Sequence, residues 1–317
     1  MANLEKISLL TKPKAQISYA FHSSTSTSSP ALVVFLNGLG LPQVAWNPTI
    51  SILKETNKDN GTPAMLTYDR FGQGQTTDRD PNDENAADPM HGHDTMSAVQ
   101  DLRQLVTQIA QDRMEISDIA TLPIVFVANS LGCAIARLYA QEYPGTVAGL
   151  LLLDSVLANS DFVSIFPDPD SEGFDVKSIP SDITPDSLRG ARERARRIFH
   201  PDVGSKEGLS RKNLRDLLPA SDAPALKGPG GRGPFVTVVG NDFEAFAEES
   251  SKMGVPKPIT LTYSKPYWQK YNEGLAKITE VERSKGPLIA PGAGHFIQKD
   301  NPQFVAQELA ELLLKAL

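Results

Sequence analysis

The chain has 317 residues, 40% of them hydrophobic and 22% charged, which suits one α/β core carrying an insertion and is ordinary for a soluble globular protein. A formal net charge of −7 argues against a polyanionic partner such as nucleic acid, and no apolar run approaches membrane-spanning length. One cysteine, Cys133, excludes an intramolecular disulfide.

Met1 to Leu10 holds no basic region followed by a sustained apolar core, so no secretory signal is expected and the cytosol is the expected location. Ile7 to Leu10 and Gln16 to Phe21 are expected to form an opening hairpin, followed by the serine and threonine run Ser23 to Ser29, read as a flexible surface turn. The run Ala31 to Leu36 predicts a buried strand ending in Asn37-Gly38-Leu39-Gly40, a glycine-rich turn whose amides are free to face a ligand. A helix near Pro48 to Glu55 and a strand from Ala64 to Tyr68 come next. Asp69 and Arg70 are read as bracing the turn that follows, where Gly72 and Gly74 are too few and wrongly placed for a phosphate loop. His91, His93 and Asp94 have metal-ligand chemistry but no further clustered ligands, so they are read as a surface turn. No metal or cofactor is expected. Asp94 is a plausible cap for a helix with Met96, Val99, Leu102, Val106 and Ile109 along one face.

The most informative stretch is I-V-F-V-A-N-S-L-G, residues 124 to 132, an apolar β-branched run that stops on Ser130 between Ala128 and Gly132. A serine at the tip of a sharp strand-to-helix turn needs tiny neighbours there, because the turn packs its backbone against the adjacent chain. Leu131 to Glu142 carries Leu131, Ile135 and Leu138 at helical spacing, which places the serine at a helix N-terminus; Cys133, on that helix, is read as a buried packing residue. The strand Gly149 to Leu153 then ends on Asp154.

Regular alternation breaks between Ser155 and Gly233. This interval holds proline-rich loops, a basic helix at Arg189 to Arg197 read as a solvated face paired with Glu193 and Asp186, and a second helix at Arg211 to Leu218. Phe162, Phe166, Phe174 and Phe199 are candidates to line an apolar pocket or to pack the insertion onto the core. Alternation resumes at Pro234 with the run Phe235 to Val239, which leads into G-N-D and Asp242. After a helical segment around Tyr267 to Ile278, whose Tyr267, Trp268 and Tyr271 either wall the site or anchor the helix, Pro287 to Ala290 lead into P-G-A-G-H-F and His295. Strand ends thus offer amides, a hydroxyl and an imidazole, with two aspartates as candidates to orient the last.

In order and spacing, N-G-L-G, Y-D-R-F-G-Q-G-Q (Tyr68 to Gln75), A-N-S-L-G and G-H-F-I resemble the α/β-hydrolase superfamily over nearly the whole chain. Asn37 stands where that family commonly has histidine, and Ala128 replaces the first glycine of the turn. The resemblance implies an α/β-hydrolase fold, a mostly parallel sheet flanked by helices. It further implies a core of residues 1–154 and 234–317, with a helical cap at 155–233 inserted after the sixth strand of that fold.

It also implies the chemistry. Ser130 would be the nucleophile, His295 the base that takes its proton, and the amides of Leu131 and Leu39 the oxyanion donors, typically worth about 3 kcal/mol each in the transition state. Asp242 resembles the usual acid, yet its turn is one residue short and its interval to His295 is long; Asp154 resembles the minority that take the acid one strand earlier, and is preferred. A serine in this place argues against the dehalogenase and epoxide-hydrolase branches, which use aspartate. The expected reaction is hydrolysis of a carboxylic ester or lactone of a small to medium apolar molecule through an acyl-enzyme. Carbon–carbon bond hydrolysis on the same triad is the alternative, and a ligand receptor or interaction protein on the scaffold is the reading from another class.

Overall fold

A computed structural model describes residues 3–26 and 30–317, so the end of the serine and threonine run, residues 27–29, lies outside the described residues. In chain order the strands are β1 (Leu4–Leu9), β2 (Lys12–His22), β3 (Leu32–Leu36), β4 (Ala64–Tyr68), β5 (His93–Asp94), β6 (Ile124–Asn129), β7 (Val147–Leu153), β8 (Leu209–Ser210), β9 (Phe235–Gly240) and β10 (Ser284–Ile289). The helices are α1 (Asn47–Thr56), α2 (Thr95–Met114), α3 (Leu131–Glu142), α4 (Pro185–Ile198), α5 (Leu214–Leu217), α6 (Phe243–Lys252), α7 (Lys257–Ile259), α8 (Lys265–Leu275), α9 (Ile297–Asp300) and α10 (Pro302–Ala316); a π-helical turn, Thr260–Ser264, joins α7 to α8.

Eight strands form one sheet in the order β1-β2-β4-β3-β6-β7-β9-β10. The opening hairpin and the β2–β4 pair are antiparallel; β4, β3, β6, β7, β9 and β10 run parallel. Every residue of β3, β6 and β7 is buried, as expected of central parallel strands covered on both faces. The period of two then sorts side chains between two cores. Leu32, Val34, Leu36, Ile124, Phe126, Leu150 and Leu152 face the layer of α2, α3 and α8. Val33, Phe35, Val125, Val127, Leu151 and Leu153 face α1 and α10. Burying each such aliphatic side chain is worth about 1.5–3 kcal/mol. No helix among the described residues is long and apolar enough to cross a membrane.

A third, smaller apolar cluster is separate. It joins Val163, Phe166, Ile183, Leu188, Ala191 and Ala195 of the long insertion to Val255 and Ile259, so the segment between β9 and β10 shares it. On α4 Arg189 meets Asp186 as expected and Asp170 besides, and Arg192 meets Asp168, while Glu193, the other expected partner, is exposed. The helix expected at Arg211 to Leu218 shortens to the four residues of α5.

The surface turn expected at His91 to Asp94 is corrected. His93 is buried, its Nδ1 2.9 Å from Asp83 Oδ1, and Asp80 beside it accepts Lys12 Nζ at 2.6 Å. Lys12 also reaches Asp101 at 2.7 Å, so this loop is pinned by buried charges that need one another in low dielectric. Among the described residues no three potential ligands gather into a metal site.

Candidate active site

The C-terminal ends of the parallel strands converge, which is where open α/β sheets place their sites. Ser130 follows β6 with φ 54° and ψ −119°, a left-handed conformation that costs a non-glycine residue roughly 1–3 kcal/mol and persists only where the surroundings impose it. Those surroundings are explicit. Ser130 N donates to Leu153 O at 3.1 Å, and its carbonyl accepts from Cys133 N at 3.0 Å and Val156 N at 3.2 Å. A Cβ on Gly132 would lie 2.4 Å from Leu36 O, and one on Gly38 would lie 3.1 Å from Ser130 Cβ. Hence the small residues flanking the serine admit β3 and its glycine turn to contact distance. Leu131 opens α3, so its N–H is among those the helix cannot pair.

Asp154 stands at the tip of β7 with φ 40° and no exposed side-chain surface. His295 Nδ1 lies 2.5 Å from Asp154 Oδ2, while Asp154 Oδ1 accepts from Asn241 N at 3.3 Å and Asn241 Nδ2 at 3.0 Å. Because Asp154 follows Leu153, the carbonyl that binds Ser130, the hydroxyl and the imidazole are hung from neighbouring peptides. Asn129 Nδ2 strengthens the link, donating to both Leu153 O (3.1 Å) and His295 O (3.0 Å). Ser130 and His295 are half-buried, open to an incoming molecule.

Asp242 sits elsewhere. It caps α6, accepting from Glu244 N at 3.0 Å, and accepts Gly292 N at 3.0 Å; these backbone donors, Gly292 first, hold its carboxyl below the usual range. Its described hydrogen bonds do not include His295. The histidine loop is gripped by further carboxylates: Gly294 N donates to Asp300 Oδ2 at 2.9 Å, and His295 N to Glu249 Oε2 at 3.1 Å.

The glycine turn is fixed from below. Asn37 is buried and fully engaged, donating to Tyr68 O (2.8 Å) and Gln73 Oε1 (3.0 Å) and accepting Trp46 Nε1 (2.7 Å). Arg70 donates to Asn37 O at 2.8 Å and Gly38 O at 3.0 Å, and Gln73 Nε2 donates to Gly38 O at 2.9 Å. Asp69, which burial pushes to a higher pKa against the pull of Gln75 and Gln43 amides, holds the next loop; Gly74 has to be glycine because a Cβ would strike that carboxylate. Asp69 and Arg70 therefore brace.

Of the aromatic candidates, Phe162 sits between Trp268 and Phe199, and Phe246, which the sequence did not single out, packs on Trp268 with ring centroids 5.4 Å apart. Trp268 Nε1 donates to Ser155 O at 3.1 Å, and Tyr271 OH receives Arg137 at 3.1 Å, so both fasten α8 beside the site, while Tyr267 is exposed. Phe166 and Phe174 pack in the smaller cluster. Cys133 is buried, its Sγ donating to Ala128 O at 3.2 Å, and burial pushes the thiol pKa up.

Sequence reasoning did not single out Asn129, Asn241, Glu207 or Glu249. Asn241 lay in the shortened G-N-D turn, and that missing residue was the available signal: the turn delivers an amide to Asp154 and leaves Asp242 to cap a helix.

Residues 33–308 match the model of the alpha/beta hydrolase family. No curated protein sequence matches the chain. Among solved structures, an esterase from Thermogutta terrifontis is 18% identical with a TM-score of 0.53, each chain covered over 99% of its length. A putative lipase from Acinetobacter baumannii AYE is 15% identical (TM-score 0.54, covering 99% of this chain and 92% of that one). A haloalkane dehalogenase from Bradyrhizobium elkani USDA94 is also 15% identical (TM-score 0.53, 99% and 98%). At these identities the likeness speaks for the fold.

Proposed function

Since the chain belongs to the alpha/beta hydrolase family and is thereby a hydrolase, we propose that it cleaves a carboxylic ester or lactone of a small to medium apolar substrate through an acyl-enzyme at Ser130. The observation that supports this reading best is His295 Nδ1 against the fully buried Asp154, whose strand also holds the Ser130 peptide. A carboxylate on Nδ1–H leaves Nε2 as the acceptor, which is the tautomer a general base requires. His295 would take the Ser130 proton as the oxygen attacks, and Asp154 would stabilise the imidazolium. The Leu131 amide, with that of Leu39, would meet the oxyanion, and the proton would pass on to the leaving alcohol. Water then attacks the acyl group with His295 again as base.

A small to medium apolar group suits the aromatic side chains of Phe162, Phe199, Phe246 and Trp268 near Ser155. The cap is read as residues 155–233, supported by the small apolar cluster that they form with Val255 and Ile259. The test is a serine-directed phosphonate applied to the protein, followed by peptide mapping. Labelling at Ser130 and loss of p-nitrophenyl ester turnover in Ser130→Ala support the reading. Undiminished turnover by that folded variant would end it.

A further inference from the structure

Among the side chains that the long insertion buries is a carboxylate, Glu207, whose side chain is 3% exposed. Its Oε1 accepts Gly40 N at 2.6 Å and Gln73 Nε2 at 2.8 Å, and its Oε2 accepts Arg70 Nε at 3.0 Å and Arg70 Nη2 at 2.9 Å. The two side chains that Glu207 holds, Arg70 and Gln73, are the same two that grip the Gly38 carbonyl. A trans peptide points its C=O and the next N–H in opposite directions. Drawing Gly38 O toward Arg70 and Gln73 therefore turns the Leu39 N–H away from them. A Cβ built on Gly38 would come within 3.1 Å of Ser130 Cβ, so this glycine lies beside the nucleophile.

We infer that Glu207 is a positioning residue for the oxyanion site: its carboxylate neutralises and orients Arg70 and Gln73, which fix the peptide carrying the Leu39 donor. The inference rests on the hydrolase reading above and assigns a catalytic consequence to a residue of the insertion. The anchorage of Glu207 suits the task. The backbone at Glu207 rests on Gly72, where a Cβ would come within 3.0 Å, and the residues just after it pair with β5 as β8, Leu209 opposite His93. Lys206 O is held by Arg79, and Ser205 N donates to Met90 O at 3.0 Å. A change on the insertion side of this ribbon thus has a short mechanical route to the peptide beside Ser130.

Glu207→Gln keeps the size but offers one acceptor oxygen where two are used, so either the Gly40 and Gln73 donors or the Arg70 donors face an amide N–H₂. The assay compares p-nitrophenyl butyrate with its thionoester, in which charge develops on sulfur, a weak acceptor for donors placed for oxygen. Losing one oxyanion donor outright costs about 10²–10³ in kcat, so a donor merely let out of line should cost on the order of tenfold. In the folded variant kcat on the oxoester is expected to fall about that much with KM little changed, and the thionoester rate to hold, so that the oxo-to-thiono ratio drops about tenfold. Should Glu207→Gln not fold, Gln73→Met leaves the Arg70–Glu207 pair in place and removes one of the two donors on Gly38 O; a fall in the same ratio is expected there. An equal fall on both esters, or no fall, in whichever variant is folded overturns the role of Glu207 while leaving the hydrolase reading intact. Turnover by Ser130→Ala at the parental rate overturns that reading and this inference with it.

Discussion

Replacing Asp154 by asparagine tests the acid through a constraint visible in its hydrogen bonds. Asn241 presents two donors, its backbone N–H and its Nδ2, to Asp154 Oδ1. An asparagine at 154 must keep its one carbonyl oxygen there, since turning it would set an N–H₂ against two donors and leave buried groups unpaired at about 1–3 kcal/mol each. Its amide nitrogen then faces His295 Nδ1 and donates, so the imidazole proton moves to Nε2, where the base should have its lone pair. In a comparable serine triad the wrong tautomer costs roughly 10⁴ in kcat. At 1.36 kcal/mol per decade this is about 5 kcal/mol of activation free energy. Asp242→Asn meets no such trap. Its oxygen can still cap α6, the Gly292 contact is weakened, and the expected cost is about 1 kcal/mol of stability with turnover within about tenfold of the parent. Measuring kcat/KM for a p-nitrophenyl ester on both variants side by side separates them by orders of magnitude. Equal modest losses, or Asp154→Asn within tenfold of the parent, would refute the assignment of Asp154.

Two further expectations concern stability. Burial, helped by Lys54 beside it, lowers the His22 pKa to about 4 from 6.5, so the unfolded chain binds the extra proton between those values. Stability from this group is full above about pH 6.5 and falls as pH drops toward 4, by on the order of 2–3 kcal/mol, and denaturation midpoints of His22→Phe should show a flatter acid limb than the parent. Gly132→Ala pushes a methyl against Leu36 O at the C-terminal end of a central strand; a loss of about 1–3 kcal/mol by urea titration is expected, and an unchanged midpoint would show that the turn has room to yield.

The turn carrying Ser130 and the histidine loop were legible because they sit at the ends of apolar runs and need small residues beside them, signals confined to a few neighbouring positions. Strands β3, β6 and β7 announced themselves the same way, since burial on both faces leaves no polar residue to confuse the pattern. Ambiguity began where partners are distant. Asp154 and Asp242 both follow apolar runs, and only the arrival of Asn241 and His295 at one of them distinguishes their surroundings in space. Glu207 pairs with Arg70 across a gap of 137 positions and left no periodic trace. His93 looked like part of a polar surface turn because Asp80 and Asp83, which pair with it, and Lys12, which pairs with Asp80, lie in other polar stretches of the sequence. Strand β10 starts at Ser284, three residues before the expected run, because an edge position tolerates the glycine and proline that made those residues read as a break.

That last strand has a bearing on how the molecule behaves in a crowd. β10 forms one rim of the sheet, with Ile289 59% exposed. An open rim of this kind invites another chain to add itself as a ninth strand. Here Pro287 withdraws an amide hydrogen, the register against β9 slips between Lys285 and Leu288, and Lys285 is tied to Glu308 and Glu311, planting charge along the border. The residues that obscured the strand to a reader of sequence are thus the ones that discourage docking by a neighbour, and a smoother, more strand-like border would aggregate more readily.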